Sequence, residues 1–351
     1  MADQALDALS EKLAHGQDLT TPEIGEVALL LASSGVSDGA KCRFLKCFSA
    51  KGETPAEVAA LASAYRAEAL PAGLEDWAGR AIDIVGTGGD GIGTFNISTT
   101  TAFIVAAAGV PVIKHGNRSI TSKSGSADLL GAVGIPLETD EATRRRSMEQ
   151  LNFCFLFAPA FHPAFKHIAP VRKQLAAEGV RTVFNSLGPL INPACPAYEV
   201  MGVFASRWLE PLAGALHALG LKRGWVINGR LPDGRELDEI TCVGTNQLAG
   251  FGEWQHQSQQ VTAADVGLAD CSLEAILGGD AADNFTRLKA VARGEAPIGL
   301  IHTLQWNAGL ALWTAGDVAT LAEGIQKAGT VIQQGHLASW LKRAETFYQQ
   351  S

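Results

Sequence analysis

The chain has 351 residues, which at roughly 100–200 residues per domain suggests two domains. Hydrophobic residues make up 47%, enough for sizeable cores and too many for a disordered chain. A net charge of −8 lacks the basic footprint of a nucleic-acid binder, although an anionic ligand needs only local positive charge.

The first 75 or so residues read as short helices. Leu6, Leu9 and Leu13 recur at helical spacing, and Gly16 ends the pattern. Thr20-Thr21-Pro22-Glu23 looks like a helix start before the apolar run Val27–Leu31. Thr54-Pro55-Ala56-Glu57 combines a capping box with Pro at the first helical position, and Val58, Leu61 and Tyr65 then share a face. Such a lobe serves either as scaffold or as a dimerisation surface, and both readings stay open here. The acidic N-terminus lacks the basic flank of a signal peptide. The longest nearly unbroken apolar run, Ala102–Ile113, is too short to span a bilayer, so a cytoplasmic protein without membrane or nucleic-acid partners is expected. Six cysteines form no CxxC pair and read as buried free thiols.

The texture changes near residue 80. Strands are predicted at Ala81–Val85, Val110–Ile113, Phe153–Phe157, Glu199–Phe204 and Gly224–Ile227. Helices are predicted at Thr99–Ala108, Ser126–Val133, Ala164–Leu175, Leu209–Leu219, Ala282–Arg293, Thr303–Leu312, Val318–Gln333 and Ala338–Tyr348. This alternation implies an α/β fold with a mostly parallel central sheet flanked by helices.

Gly86-Thr87-Gly88-Gly89-Asp90-Gly91 matches the dinucleotide fingerprint G-x-G-x-x-G. That fingerprint needs an acid about 20 residues on, for the ribose hydroxyls. From Gly91 to Ala127 there is no Asp or Glu, so the dinucleotide reading fails. No Gly-Lys-Ser/Thr closes the loop as a Walker A motif would. What remains is a strand, a glycine turn and a helix start, which place backbone N–H groups around an anion. Asn96, Ser98 and Thr99 supply donors and caps at that start. The acid-free window also holds Lys114, His115, Arg118 and Lys123, interleaved with Ser119, Thr121, Ser122, Ser124 and Ser126. Cations and hydroxyls in this mixture suit a phosphate and a pyrophosphate; a glycine turn followed by a solvated basic loop is the plain alternative.

Gly86–Asp90, Asn96-Ile97-Ser98-Thr99, Lys114-His115-Gly116-Asn117-Arg118-Ser119, Ser124-Gly125-Ser126-Ala127-Asp128, Phe184-Asn185-Ser186-Leu187-Gly188-Pro189-Leu190 and Asp238-Glu239 occur in an order that resembles the anthranilate phosphoribosyltransferase family, over nearly the whole chain. The resemblance implies a small N-terminal α-helical domain, residues 1–77, joined by hinges to a large α/β domain, residues 78–351. The resemblance also implies that a segment returning after about Arg172 joins the small domain and that this domain mediates a homodimer. It implies transfer of the phosphoribosyl group of 5-phosphoribosyl 1-pyrophosphate to the amine of anthranilate, in tryptophan biosynthesis. The donor would be held by Gly86, Gly89, Asp90, Thr94, Asn96, Ile97, Ser98, Thr99, Lys114, His115, Gly116, Asn117, Arg118, Ser119, Ile120, Thr121, Ser122 and Ser126. Ser98, Asp238 and Glu239 would be ligands of Mg²⁺, with about two ions per monomer. Gly86, Asn117 and Arg172 would meet anthranilate. On the residues alone, His162 stands just before the helix that carries Arg172 and either lines the acceptor pocket or serves the structure, and both readings stay open here.

On the residues alone, Asp238-Glu239 follows the turn Pro232-Asp233-Gly234 and is expected at the edge of a loop. Arg172 has the planar fork that binds a carboxylate through two oxygens. No Ser, Cys or His stands out as a nucleophile, so direct displacement with an oxocarbenium-like transition state is expected. Departures from the family pattern are about two extra residues at Leu175–Gly179, Asn228-Gly229 in place of His-Gly, and Gly131 in place of an acid. Three alternatives are a pyrimidine nucleoside phosphorylase, a paralogue with another aromatic acceptor, and a non-catalytic nucleic-acid-binding relative. Asn117-Arg118 after Lys-His-Gly argues against the first, and the acidic pair against the last.

Overall fold

The computed structural model describes residues 2–118 and 124–350. Four helices open the chain: α1 (Ala2–Ala14), α2 (Thr21–Ala32), α3 (Asp38–Lys51) and α4 (Pro55–Ala67). The expected capping box forms at α4, and at the start of α2 the Thr20 amide donates to the Glu23 carboxylate. The α4 box does more than cap. Glu57 is buried; its Oε1 accepts from the Leu19 amide at 2.9 Å, and its Oε2 pairs with Lys51 at 2.8 Å. One carboxylate therefore ties α4 to α3 and to the entry of α2. Leu6, Leu13, Val27, Leu31, Phe44, Phe48 and Leu61 form the core between these helices. Ile168, Val171, Leu175, Phe184 and Leu187 join that same core from much later in the chain.

The rest is built on eight strands: β1 (Ile82–Gly86), β2 (Val112–Gly116), β3 (Phe153–Phe157), β4 (Tyr198–Gly202), β5 (Arg223–Arg230), β6 (Glu236–Leu237), β7 (Thr245–Gly252) and β8 (Ser258–Thr262). Their order is β3-β2-β1-β4-β5-β7-β8, with β6 beside β5. The first five run parallel, and β6, β7 and β8 pair antiparallel. The order reverses between β1 and β4, so the chain leaves these two neighbours towards opposite ends of the sheet. A crevice opens at such a switch point, outside the carboxyl ends of the strands. Here Gly86 and Gly202 face each other across it, and Thr87 bridges it: its amide donates to the Gly202 carbonyl, and its hydroxyl accepts from the Phe204 amide.

Two sequence expectations change. Ala164–Leu175 is not one helix but a 3-10 turn, Pro163–His167, followed by the helix Ala169–Ala177. Pro170 is the reason, since it lacks an N–H and restricts the residue before it. The hairpin β7–β8 was not predicted. Thr-Asn-Gln-Leu-Ala-Gly-Phe-Gly has no aliphatic run, and Ser-Gln-Gln-Val-Thr is an exposed polar edge. Of the cysteines, Cys42, Cys154 and Cys242 are buried, but Cys195 is exposed. Among the described residues no helix is long and apolar enough to cross a membrane.

Candidate active site

The glycine turn leaves β1 at the switch point. Gly88, Gly89, Gly91 and Gly93 have φ of +64°, +84°, +71° and +77°, a region that side-chain-bearing residues rarely enter. Asp90 Oδ1 accepts from the Ile92 amide at 3.1 Å and closes the turn, while its buried Oδ2 has no hydrogen-bond partner among the described residues. The helix Ile97–Ala107 starts behind this turn. Asn96 stands at its N-cap position, but its side chain makes no cap bond, contrary to expectation. It is used elsewhere: Nδ2 donates to the Ser124 carbonyl at 3.2 Å, and Oδ1 accepts from Asn284 Nδ2 at 2.8 Å. At the helix start itself the Ile97 amide donates to the Phe95 carbonyl at 2.6 Å and the Ser98 amide to the Glu239 carboxylate. Thr99 donates to Ser126 at 3.0 Å, which draws the next loop to the same place. Thr94 pairs with Leu277 in an isolated bridge, and Ile97 is wholly buried under the helix.

The acidic pair lies deeper than expected. Asp238 is buried and Glu239 half-buried. Two strand glycines make room for them. A methyl group on Gly202 would lie 1.7 Å from the Asp238 carbonyl oxygen, and one on Gly229 would lie 2.6 Å from that of Glu239. The Gly88 amide donates to Asp238 Oδ2 at 2.6 Å, and the Ser98 amide donates to Glu239 Oε1 at 3.2 Å. Burial raises the Asp238 pKa to about 7, reinforced by the charge of Asp90 and opposed by the Gly88 amide. Burial, then Asp238, raises Glu239 well above the ordinary range, against the pull of Lys114. Carboxylates crowded in this way favour a divalent cation. The donor set is all oxygen, including the orphaned Asp90 Oδ2, and it fits Mg²⁺, which keeps water and substrate phosphate in its shell. Among the described residues no group of three His, Cys, Asp or Glu encloses a metal, so such a site needs ligands from the substrate.

The cationic window is corrected in part. Lys114 and His115 are consecutive on β2, so they project to opposite faces. Lys114 is buried; its Nζ donates to the Ile84 carbonyl and lies 3.5 Å from Ser98 Oγ. Burial lowers its pKa, while Asp83, Glu239 and Asp238 act to keep the charge. It is an internal counter-ion and not part of a solvated loop. His115 carries no charge near neutrality, because burial, helped by His162, pushes its pKa down to about 3. Gly116 ends β2, and Asn117 and Arg118 follow, both exposed, with Asn117 Oδ1 accepting from the Arg118 amide at 2.7 Å. Ser119, Ile120, Thr121, Ser122 and Lys123 lie outside the described residues.

On the other face of β2, His115 Nδ1 lies 3.1 Å from the Gly188 carbonyl oxygen and its ring meets His162 edge-on at 5.3 Å. His162 stacks on Phe165, and burial lowers its pKa to about 4. Both histidines keep a buried Nε2 without a hydrogen-bond partner among the described residues. Arg172 follows on the helix Ala169–Ala177. Its Nη2 donates to the Phe184 carbonyl at 3.4 Å, and its guanidinium sits 5.4 Å from the centre of the Phe184 ring. Among the described residues it has no carboxylate partner, so a ligand carboxylate would meet a free fork.

One contact was not foreseen. Arg181 Nη2 donates to the Gly89 carbonyl at 3.0 Å, and its guanidinium lies 4.0 Å from the Phe204 ring centre. Its only sequence signal is its place just before Phe184-Asn185-Ser186.

Two family descriptions match the chain: "Glycosyl transferase family, helical bundle domain" over residues 8–69 and "Glycosyl transferase family, a/b domain" over residues 78–338. The anthranilate phosphoribosyltransferase of Brucella suis biovar 1 is 40% identical over 332 residues, which cover 95% of this chain and 94% of that protein. The bifunctional protein TrpGD of Thermotoga maritima is also 40% identical, over 93% of this chain and 54% of its own length. Among solved structures, the anthranilate phosphoribosyltransferase of Thermus thermophilus superposes with a TM-score of 0.87 at 40% identity, covering 97% of this chain and 99% of that one. The Saccharomyces cerevisiae enzyme in complex with PRPP and Mg gives 0.82 at 25% identity, covering 99% and 98%.

Proposed function

The chain belongs to the anthranilate phosphoribosyltransferase family of glycosyltransferases, and from that premise we propose how its residues divide the work. The reaction transfers phosphoribosyl from 5-phosphoribosyl 1-pyrophosphate to the amine of anthranilate, a step of tryptophan biosynthesis.

On the donor side, the glycine turn Gly86–Gly91 with Asp90, Thr94 and the helix start Asn96–Thr99 cradle the phosphates through backbone amides and hydroxyls. Gly116, Asn117, Arg118 and Ser126 close the cradle, with Lys114 balancing the carboxylates beneath it. His115 takes a neutral, shaping role. Ser98, Asp238 and Glu239 hold Mg²⁺, two ions per protomer in this reading. When bound, the metal offsets the charge that develops on the departing pyrophosphate.

On the acceptor side, the Arg172 fork takes the anthranilate carboxylate and Asn117 and Gly86 position its amine. His162 and His115 line the pocket as neutral groups whose free Nε2 atoms accept or donate a hydrogen bond. The amine is neutral at pH 7 and attacks without prior deprotonation. Residues 1–77, with a returning segment after about Arg172, form a helical domain that closes on the α/β domain of residues 78–351 and excludes water. The same helical domain pairs two copies in a cytoplasmic homodimer.

The observation that carries the donor assignment is the hydrogen bond between the Gly88 amide and Asp238, which joins the acidic pair to the glycine turn across the switch point. The test is direct: protein, Mg²⁺ and phosphoribosyl pyrophosphate are mixed with anthranilate, and the loss of anthranilate fluorescence is followed. Metal-dependent loss is expected. No loss at any pH would defeat the assignment.

A further inference from the structure

A cavity of about 300 Å³ lies outside the site described above. Its walls come from three places: the α3–α4 connection (Gly52, Glu53), the stretch around Arg181 and Asn185, and the loop after β4 (Phe204, Arg207, Trp208). None of Gly86, Asn117, His162 or Arg172 lines it.

Its chemistry is specific. Two guanidiniums flank the Phe204 ring, Arg181 at 4.0 Å and Arg207 at 5.9 Å from the ring centre. Among the described residues neither has a carboxylate within ion-pair distance. The Trp208 indole Nε1 is buried and, among the described residues, has no hydrogen-bond partner. An unused buried donor and two unpaired cations beside aromatic surface suit an anion that is itself flat and apolar. Glu53 adds an acceptor for an amino group. The space holds a one- or two-ring molecule, and pockets of this size bind small ligands.

We propose that this cavity is a second ligand site, for an aromatic amino-carboxylate, and that it acts on the donor site through Arg181. A bound carboxylate would compete with the Gly89 carbonyl for the Arg181 guanidinium. The glycine turn then loses its outer tether, and donor affinity falls. Inhibition should therefore raise the KM for phosphoribosyl pyrophosphate without raising that for anthranilate. Two sources share the chemistry, the acceptor anthranilate itself and an aromatic amino acid.

The test uses the full chain, with L-tryptophan and anthranilate as probes in separate titration calorimetry arms. Arg207→Glu and Trp208→Leu serve as variants, each checked for an unchanged melting temperature. In the L-tryptophan arm, one site per protomer is expected, weakened at least 10-fold in either variant. In the anthranilate arm, a second, weaker event is expected to vanish in the variants while the first is unchanged. Either pattern supports the site and names its source. If neither probe shows binding that responds to the variants, and the cavity is empty in crystals of the unaltered protein soaked to saturation, the proposal is overturned. A real second event that raises the KM for anthranilate instead would overturn the route through Arg181.

Discussion

A methyl group on Gly86 would lie 2.4 Å from Oδ2 of Asp238, a residue far along the chain that arrives from beyond β6. The end of β1 and the acidic pair therefore share one volume, and only glycine lets both occupy it. Gly86→Ala should displace the Asp238 carboxylate without disturbing the core. Positioning losses of about 1 Å cost on the order of 10²-fold in rate. A fall of that order in kcat/KM is expected, with a melting temperature within a few degrees of the unaltered protein. Normal turnover in steady-state assays would show that Asp238 does not need its observed place.

The acidic pair should govern the metal dependence. Replacing Asp238 by Asn and Glu239 by Gln keeps the volume and removes the charge. Mg²⁺-dependent turnover should be abolished, and the Mg²⁺-linked gain in phosphoribosyl pyrophosphate affinity should disappear in calorimetry. Retention of that gain would remove the pair from the metal site.

Arg172 meets the Phe184 carbonyl and ring and, among the described residues, no carboxylate. Losing a two-point, charge-assisted contact costs about 2–3 kcal/mol, or roughly 10²-fold. Arg172→Ala should raise the KM for anthranilate by about that factor and leave donor affinity within about twofold. Arg172→Lys should recover little, because an ammonium cannot form the fork. Equal losses for both substrates would assign Arg172 to the fold.

These assignments differ in how visible they were in the sequence. The strands β1 to β5 and most helices were legible, because apolar runs and helical periods are local signals. The glycine turn was legible as an anion cradle, since its missing acid excluded the dinucleotide reading. What was hidden depends on tertiary burial. Lys114 and His115 look like neighbouring cations in the sequence; in the fold one is an internal counter-ion and the other is neutral. Asp238-Glu239 looks like an exposed turn, and its burial rests on Gly202 and Gly229, whose importance appears only once β4 and β5 are side by side. Arg181 has no local signal beyond its place just before Phe184-Asn185-Ser186, since its partner Gly89 lies on a different loop.

Asp83 and Glu199 are register partners on β1 and β4, both wholly buried. Among the described residues Glu199 has no hydrogen-bond partner at either oxygen, and burial, then the charge of Asp83, raises its pKa well above 4.5. Asp83 is itself raised to about 6 by burial, against the pull of Lys114. The sign follows from proton counts. Between the unfolded and the folded pKa the native state binds more protons, so stability falls as pH rises through that window. Glu199→Gln removes one such group while keeping its shape. It should raise the melting temperature at pH 8 and change it much less at pH 4, below the unfolded pKa. Thermal unfolding at the two pH values measures this. An equal shift at both would assign the effect to packing and not to the buried proton.

Among the described residues no atom lies within 4 Å of a Cβ built on Gly89, but its φ is +84°. Substitution there clashes with no atom of those residues; what it meets is the backbone strain of a left-handed β-branched residue and any ligand that fills the space. These two effects separate in one variant series. Gly89→Asn tolerates the left-handed region and adds only modest bulk, whereas Gly89→Val adds both strain and bulk. If the turn holds phosphate by close backbone approach, both variants should lose donor affinity in calorimetry, Val more than Asn, on the order of 10-fold or beyond. If strain alone matters, Asn should bind as the unaltered protein does. Unchanged affinity in Gly89→Val would place the phosphates away from this turn.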